Sequence, residues 1–290
     1  TGDMVIEKDS SGENDVKFTY GRNIRYHSPR YIVEMVKTLH QKYQIDFASF
    51  LDENLMTMNV FSRGTWLPEL CDLWIKEGLQ PSCRKNGVPH DETCTGVHWN
   101  GTSHAALHKL DVLKKMYEAG CSHLVYGLET FDPNILRYLG KGSTLEKNLA
   151  AVDICLESGI KPIPNIMIGF PDETFESVRN TINGLIKLGI HAKPHFATPY
   201  PGSEWYYKYK DSIIEQYKGD LEAYIEDLGD ASKISCVISH NFSPVDLLGL
   251  QEIVRTRDLR LLELTEQHRK NTQQHFTPLA TCLLYTSDAA

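Results

Sequence analysis

The sequence predicts an α/β fold, a parallel sheet rolled into a barrel with a helical addition at its C-terminal end. Two observations carry that expectation. One phrase recurs: a helix, a glycine, then a short apolar strand. It stands at Lys76-Glu77-Gly78-Leu79, Glu118-Ala119-Gly120-Cys121, Glu157-Ser158-Gly159-Ile160 and Lys187-Leu188-Gly189-Ile190. Each glycine falls where a helix C-terminus needs a left-handed residue, and the repeats are one βα unit apart. Repeated βα units connect with one hand and build a parallel sheet. The second observation is NIMIGFPDET, Asn165 to Thr174. Ile166, Met167 and Ile168 read as a strand buried on both faces, and Gly169 lets backbone approach without a Cβ in the way. Pro171 and Asp172 then read as the start of a helix, with Asp172 as its cap. In α/β folds, small ligands sit where strands end in such turns. No GxGxxG follows any strand, which disfavours an open dinucleotide-binding sheet.

Element by element, residues 1–23 show no periodicity and are expected to form a loop, with 1–27 leading into the barrel. Helices are expected over 28–43, 65–76, 103–118, 143–157, 174–188, 204–228 and 244–269. Ser28-Pro29 supplies a cap and a first-position proline, and Ser143-x-x-Glu146 reads as a capping box. Strands are expected over 47–51, 79–83, 122–126, 162–168 and 195–198. This gives a barrel over 28–203 and a mainly helical extension over 204–281. The last nine residues, 282–290, read as a translated sequencing-library adapter and are set aside.

Bulk properties narrow the classes. The chain has 290 residues, 41% hydrophobic and 23% charged, as in ordinary globular proteins. A net charge of -8 argues against a broad phosphate-binding face, so nucleic acid is not an expected partner. No apolar run is long enough to cross a membrane and no signal-peptide pattern opens the chain, which suggests a cytoplasmic protein. There are seven cysteines and no CxxC pair, so buried thiols in a reducing compartment are expected. Cys83 and Cys94 flank His90 and Asp91, a zinc-like set of residue types, but the spacing fits no strong ligand pattern.

Polar residues gather just after the strands. Asp52, Glu53 and Asn54 follow the first strand, Glu129 and Thr130 the one over 122–126, and Gly169, Asp172 and Glu173 the next. Thr198, Tyr200, Pro201 and Gly202 follow the last. In a parallel barrel these share one rim. Carboxylates there could grip an ammonium group or ribose hydroxyls, and bare backbone could pair with a planar base.

LVYGLET (Leu124 to Thr130), LGKGST (Leu139 to Thr144), MIGFPDET (Met167 to Thr174) and TPYPGSEWY (Thr198 to Tyr206) resemble the radical S-adenosylmethionine (SAM) enzymes. FLDENLMTMN (Phe50 to Asn59) and RYHSPRYIVEM (Arg25 to Met35) resemble the subgroup often preceded by a cobalamin-binding domain. The resemblance spans Arg25 to Tyr206. It implies a partial (βα)6 TIM-type barrel that holds a [4Fe–4S] cluster and SAM. Cluster reduction would cleave SAM to a 5′-deoxyadenosyl radical acting on a small-molecule substrate, with an electron donor such as flavodoxin or ferredoxin. Cobalamin, and with it methyl transfer, is implied only by the subgroup.

The resemblance assigns Glu129 to the SAM ribose or amino-acid end. It assigns Asp52, Glu53 and Asn54 to the methionine amine and Lys141 to the carboxylate. Ile168, Gly169, Thr198 and Tyr200 flank the adenine. The family's CxxxCxxC is absent from these residues, so they are not expected to ligate a cluster, and no metal ligand or catalytic residue is assigned. Truncation ahead of Thr1 and a homologue that never bound a cluster are both open, and the other intact motifs favour truncation. Two further alternatives are a metal-dependent hydrolase using His98, His104 and His108, and a non-catalytic SAM-binding homologue. A reading that places Trp99 and His98 at a substrate entrance is also open.

Overall fold

A computed structural model describes residues 25–52, 54–105, 109–229 and 233–272, together with the backbone of 3–8 and 14–19. The chain opens with an antiparallel hairpin, β1 (Asp3–Lys8) and β2 (Asn14–Thr19), Asp3 opposite Thr19 and Lys8 opposite Asn14. This corrects the loop expected over 1–23. Each segment is too short to show its period alone, and the strands exist through pairing with each other.

Helix α1 (Pro29–Tyr43) begins as expected. The Ser28 hydroxyl accepts the Tyr31 N–H at 3.2 Å, and Pro29 occupies the first helical position. Then come β3 (Phe47–Ser49), α2 (Met56–Phe61), α3 (Trp66–Lys76) and α4 (Ser82–Asn86). The strand expected over 79–83 is absent, because Pro81 has no N–H for a ladder and a short helix starts right after it. A strand that was not expected takes its place in the sheet, β4 (His98–Ser103), sequence HWNGTS. Its small polar residues read as a loop, and the helix expected from 103 therefore starts late, as α5 (Leu110–Glu118).

The chain continues through β5 (Cys121–Glu129), α6 (Pro133–Leu139), α7 (Leu145–Glu157), β6 (Lys161–Ile168), α8 (Phe175–Lys187) and β7 (His195–Phe196). The cap of α7 is Thr144, whose hydroxyl accepts the Lys147 N–H, and not the expected Ser143. The cap of α8 is Thr174, in a reciprocal box with Ser177, and not Asp172. The long helix expected over 204–228 is three: α9 (Glu204–Lys208), α10 (Lys210–Gln216) and α11 (Leu221–Asp227). The one over 244–269 is two, α12 (Pro244–Thr256) and α13 (Leu259–Thr272), divided at Arg257, where φ is +57°. The break before α11 carries its own signal, Gly219 at φ +87° followed by Asp220, whose Oδ1 accepts the Ala223 N–H at 3.0 Å. The glycines of the recurring phrase do fall at left-handed helix ends, with φ of +78°, +106°, +86° and +66°.

The five strands β3 to β7 are parallel and lie side by side in chain order, the arrangement of a partial α/β barrel. The chain divides into two compact units. One holds Arg25–Leu128 and Leu136–Asn165. At its centre the Trp74 indole N–H donates to the Val97 carbonyl and the Trp99 indole N–H to the Ala119 carbonyl, both at 3.1 Å. Both indoles are fully buried, so each satisfies its one polar group on backbone. Trp99 is thus core and does not line an entrance. The other unit holds Thr1–Ile24, Glu129–Ile135 and Ile166–Ala290, with Phe131, Ile168, Phe170, Ile182, Leu247 and Ile253 among its buried residues. Cys71, Cys121 and Cys155 are buried thiols as expected, and burial pushes Cys71 up to about 12 and Cys155 up to about 11.

Candidate functional site

Five of the predicted residues stand at or just after the C-terminal ends of three strands, all within the second unit. Glu129 ends β5, Ile168 ends β6 with Gly169 directly after it, and Thr198 and Tyr200 follow β7. The last two strand ends are tied directly: the Ala197 N–H donates to the Ile168 carbonyl at 2.8 Å.

Glu129 has φ of +62°, a conformation a non-glycine residue rarely takes, and is 8% exposed. Such backbone persists only where its surroundings over-determine it. Here the next three residues are fixed by buried hydrogen bonds. Thr130 Oγ1 and Thr181 Oγ1 lie 2.8 Å apart, the Phe131 N–H donates to Thr181 Oγ1, and the Asp132 N–H donates to Thr130 Oγ1. Asp132 then caps α6, its Oδ1 accepting the Asn134 and Ile135 N–H groups at 2.9 Å, while its Oδ2 accepts Asn180 Nδ2. These anchors were missed in the sequence. Asp132-Pro133, a cap followed by proline, was the signal that could have found them.

Gly169 has φ of +88°, and a Cβ there would come within 3.2 Å of a Leu247 methyl. The glycine is therefore required by its conformation and by the close approach of α12. Its N–H donates to Glu173 Oε2. Glu173 is 1% exposed, so its carboxyl closes the GFPDE turn and does not project from the rim. Burial pushes it up to about 8. The N–H groups of Gly169 and Phe170 act in the opposite sense, and the Asp132 charge adds to the rise. Asp172 faces outward, its Oδ1 3.1 Å from His240 Nδ1. Beyond β7, Thr198 is buried with its hydroxyl on the Phe196 carbonyl. Tyr200 is exposed, and its carbonyl accepts the Ser203 N–H at 2.9 Å across Pro201-Gly202.

The remaining predicted positions belong to the first unit. Asp52 is exposed, and Glu53 lies outside the described residues. Asn54 Oδ1 accepts the Met56 N–H at 3.1 Å, and the Leu55 N–H donates to the Thr102 carbonyl at the end of β4. Lys141 is exposed between Gly140 and Gly142, both left-handed. Two residues on, Ser143 Oγ lies 3.5 Å from His104 Nε2, just beyond β4. The loops carrying Asn54 and Lys141 thus both reach the C-terminal end of β4.

The hydrolase alternative gains no support. His98 Nε2 faces sulfur, 3.6 Å from Cys83 and 3.7 Å from Cys94, while His104 turns to Ser143. His108 lies outside the described residues.

The radical SAM superfamily model matches residues 10–185, more than half of the chain. The chain belongs to the radical SAM superfamily. Over 197 residues this radical SAM chain is 31% identical to an uncharacterised methyltransferase of Pyrococcus horikoshii, covering 67% of the chain and 38% of that protein. Over 202 residues it is 27% identical to the bacteriochlorophyllide d C-12(1)-methyltransferase of Chlorobaculum tepidum, covering 67% and 39%. It therefore spans about two fifths of the length of these curated relatives. Among solved structures, the radical SAM methyltransferase TsrM from Kitasatospora setae matches at a TM-score of 0.45 and 18% identity, covering 67% of this chain and 35% of that one. Among the described residues of this radical SAM chain, no helix is long and apolar enough to cross a membrane.

Proposed function

We propose that this chain is the SAM-binding barrel of a radical SAM methyltransferase. The observation that carries the reading is Glu129, an acidic residue whose backbone is fixed in a left-handed conformation at the end of β5. It belongs to the same compact unit as the ends of β6 and β7. A fixed backbone limits the space the side chain can reach, which lowers the ordering cost when its carboxylate accepts hydrogen bonds from ribose hydroxyls or an ammonium group. Ile168, Gly169, Thr198 and Tyr200 would flank the adenine. Asp52, Glu53, Asn54 and Lys141 are the residues the family resemblance assigns to the methionine end.

Two relatives named as methyltransferases support methyl transfer as the outcome. Cobalamin as methyl carrier rests on the subgroup resemblance of the segments 25–35 and 50–59. The substrate would be a small molecule and the electron donor a flavodoxin or ferredoxin. The sequence contains no CxxxCxxC, and the described cysteines bring no three thiols together. These residues therefore do not fit a [4Fe–4S] cluster.

Turnover by the full-length protein, reconstituted with iron, sulfide and cobalamin and reduced in the presence of SAM, tests the reading. Release of S-adenosylhomocysteine is expected. Failure to consume SAM, or 5′-deoxyadenosine with no S-adenosylhomocysteine, contradicts methyl transfer.

A further inference from the structure

We propose that Cys83, His90, Cys94 and His98 bind a single zinc ion in a closed structural site. One ligand atom from each of the four lies within 4.8 Å of all the others. All four residues belong to one compact unit. With Zn–S near 2.3 Å and Zn–N near 2.05 Å, a tetrahedral ion holds sulfur and nitrogen about 3.6 Å apart. His98 Nε2 lies 3.6 Å from Cys83 Sγ and 3.7 Å from Cys94 Sγ. The His90 and His98 rings meet edge to face at 81°, with centroids 4.7 Å apart, so two imidazoles approach one point without stacking.

His98 supplies a second, independent argument. It is 8% exposed, and its Nδ1 has no hydrogen-bond partner among the described residues. Among the described residues, its Nε2 faces two sulfurs, which are weak partners. A metal on Nε2 would replace those two weak contacts with a coordination bond and leave the ring's single proton on Nδ1.

The surrounding chain is built to hold the four in place. The Ser82 N–H donates to the Thr95 carbonyl at 2.8 Å, and the Thr95 N–H returns to Ser82 Oγ at 2.9 Å. The Ser82 hydroxyl also lies 3.6 Å from Cys94 Sγ, an outer contact of the kind that orients metal ligands. Gly96, at φ +94°, lets the chain pass so close that a Cβ would stand 2.6 Å from the Gln80 carbonyl oxygen. Residues 85–93 are all exposed, so no apolar burial fixes this loop. An ion would supply that constraint.

The donor set decides the metal and the role. Two thiolates and two imidazoles in tetrahedral array suit zinc. Ligand atoms this close surround one ion, whereas a four-iron cluster takes its thiolates on separate irons and needs them further apart. Four protein ligands leave no open position, so the site is structural and not hydrolytic. His98 begins β4, about 16 Å along the strand from Ser103 at its other end. In parallel barrels the N-terminal ends of the strands serve stability, and the C-terminal ends serve chemistry.

The test is metal stoichiometry of the purified chain after incubation with zinc sulfate and desalting against a weak chelator. One zinc per chain is expected, falling at least tenfold in Cys94→Ser and in His90→Ala and unchanged in Cys236→Ser. Cobalt(II) binding to the wild-type chain gives a second readout should the variants not fold. Intense tetrahedral d–d bands with thiolate charge transfer are expected. Wild-type protein that retains no zinc, retains iron in its place, or gives a weak octahedral cobalt spectrum overturns the site, as does full occupancy in both variants.

Discussion

The Gly169 amide donates to the carboxylate of Glu173, four residues further on, and that carboxylate is held away from water. The contact closes the turn between β6 and α8 and leaves an acid in a place where ionisation is unfavourable. Its pKa rises from the ordinary 4.5 to about 8. Between these values the folded chain keeps a proton that the unfolded chain has lost. Stability is therefore expected to fall as pH rises from about 4.5 to about 8 and to level off above that. In Glu173→Gln an uncharged oxygen still accepts the Gly169 N–H. The variant's melting temperature should vary less across that window and exceed the wild type's above pH of about 8. Thermal melts at several pH values check this, and parallel curves for the two proteins would refute the buried acid.

Gly184 lies in α8, where an added Cβ would stand 2.2 Å from Phe131 Cγ. Phe131 is itself buried and cannot swing away. Gly184→Ala should destabilise the chain by about 3 kcal/mol, although alanine is the better helix former. Urea denaturation measures the difference. A gain in stability would mean that the helix and the Glu129 loop do not pack this closely.

Thr174 caps α8 and is matched by Ser177, whose hydroxyl accepts the Thr174 N–H at 2.9 Å. Thr174→Ala should cost about 1 kcal/mol. Asp172→Ala should cost less, because Asp172 is exposed and caps nothing. Comparing the two melts distinguishes the observed cap from the one the sequence suggested.

The parallel βα succession was legible because glycine ends helices for a conformational reason that does not depend on tertiary context. Where neighbours decide, the sequence misled. HWNGTS becomes strand β4 only because strands flank it on both sides. Thr144 and Thr174 displaced the caps proposed at Ser143 and Asp172, because several hydroxyls and carboxylates near each helix start could serve. The rim carboxylates looked alike in sequence, yet Glu173 is turned inward while Glu129 ends its strand in a strained conformation. The Cys83, His90, Cys94 and His98 set was passed over because its spacing, six, three and three intervening residues, follows no familiar pattern. Only the fold of the 82–98 loop brings the four together.

SAM binding to the chain itself, followed by calorimetry or by saturation transfer to the adenine protons, tests the central claim most directly. Wild-type chain should bind SAM, and Glu129→Gln, which keeps the shape and removes the charge, should bind at least tenfold more weakly. A wild-type chain that does not bind SAM, or a Glu129→Gln chain that binds it equally well, would contradict the account.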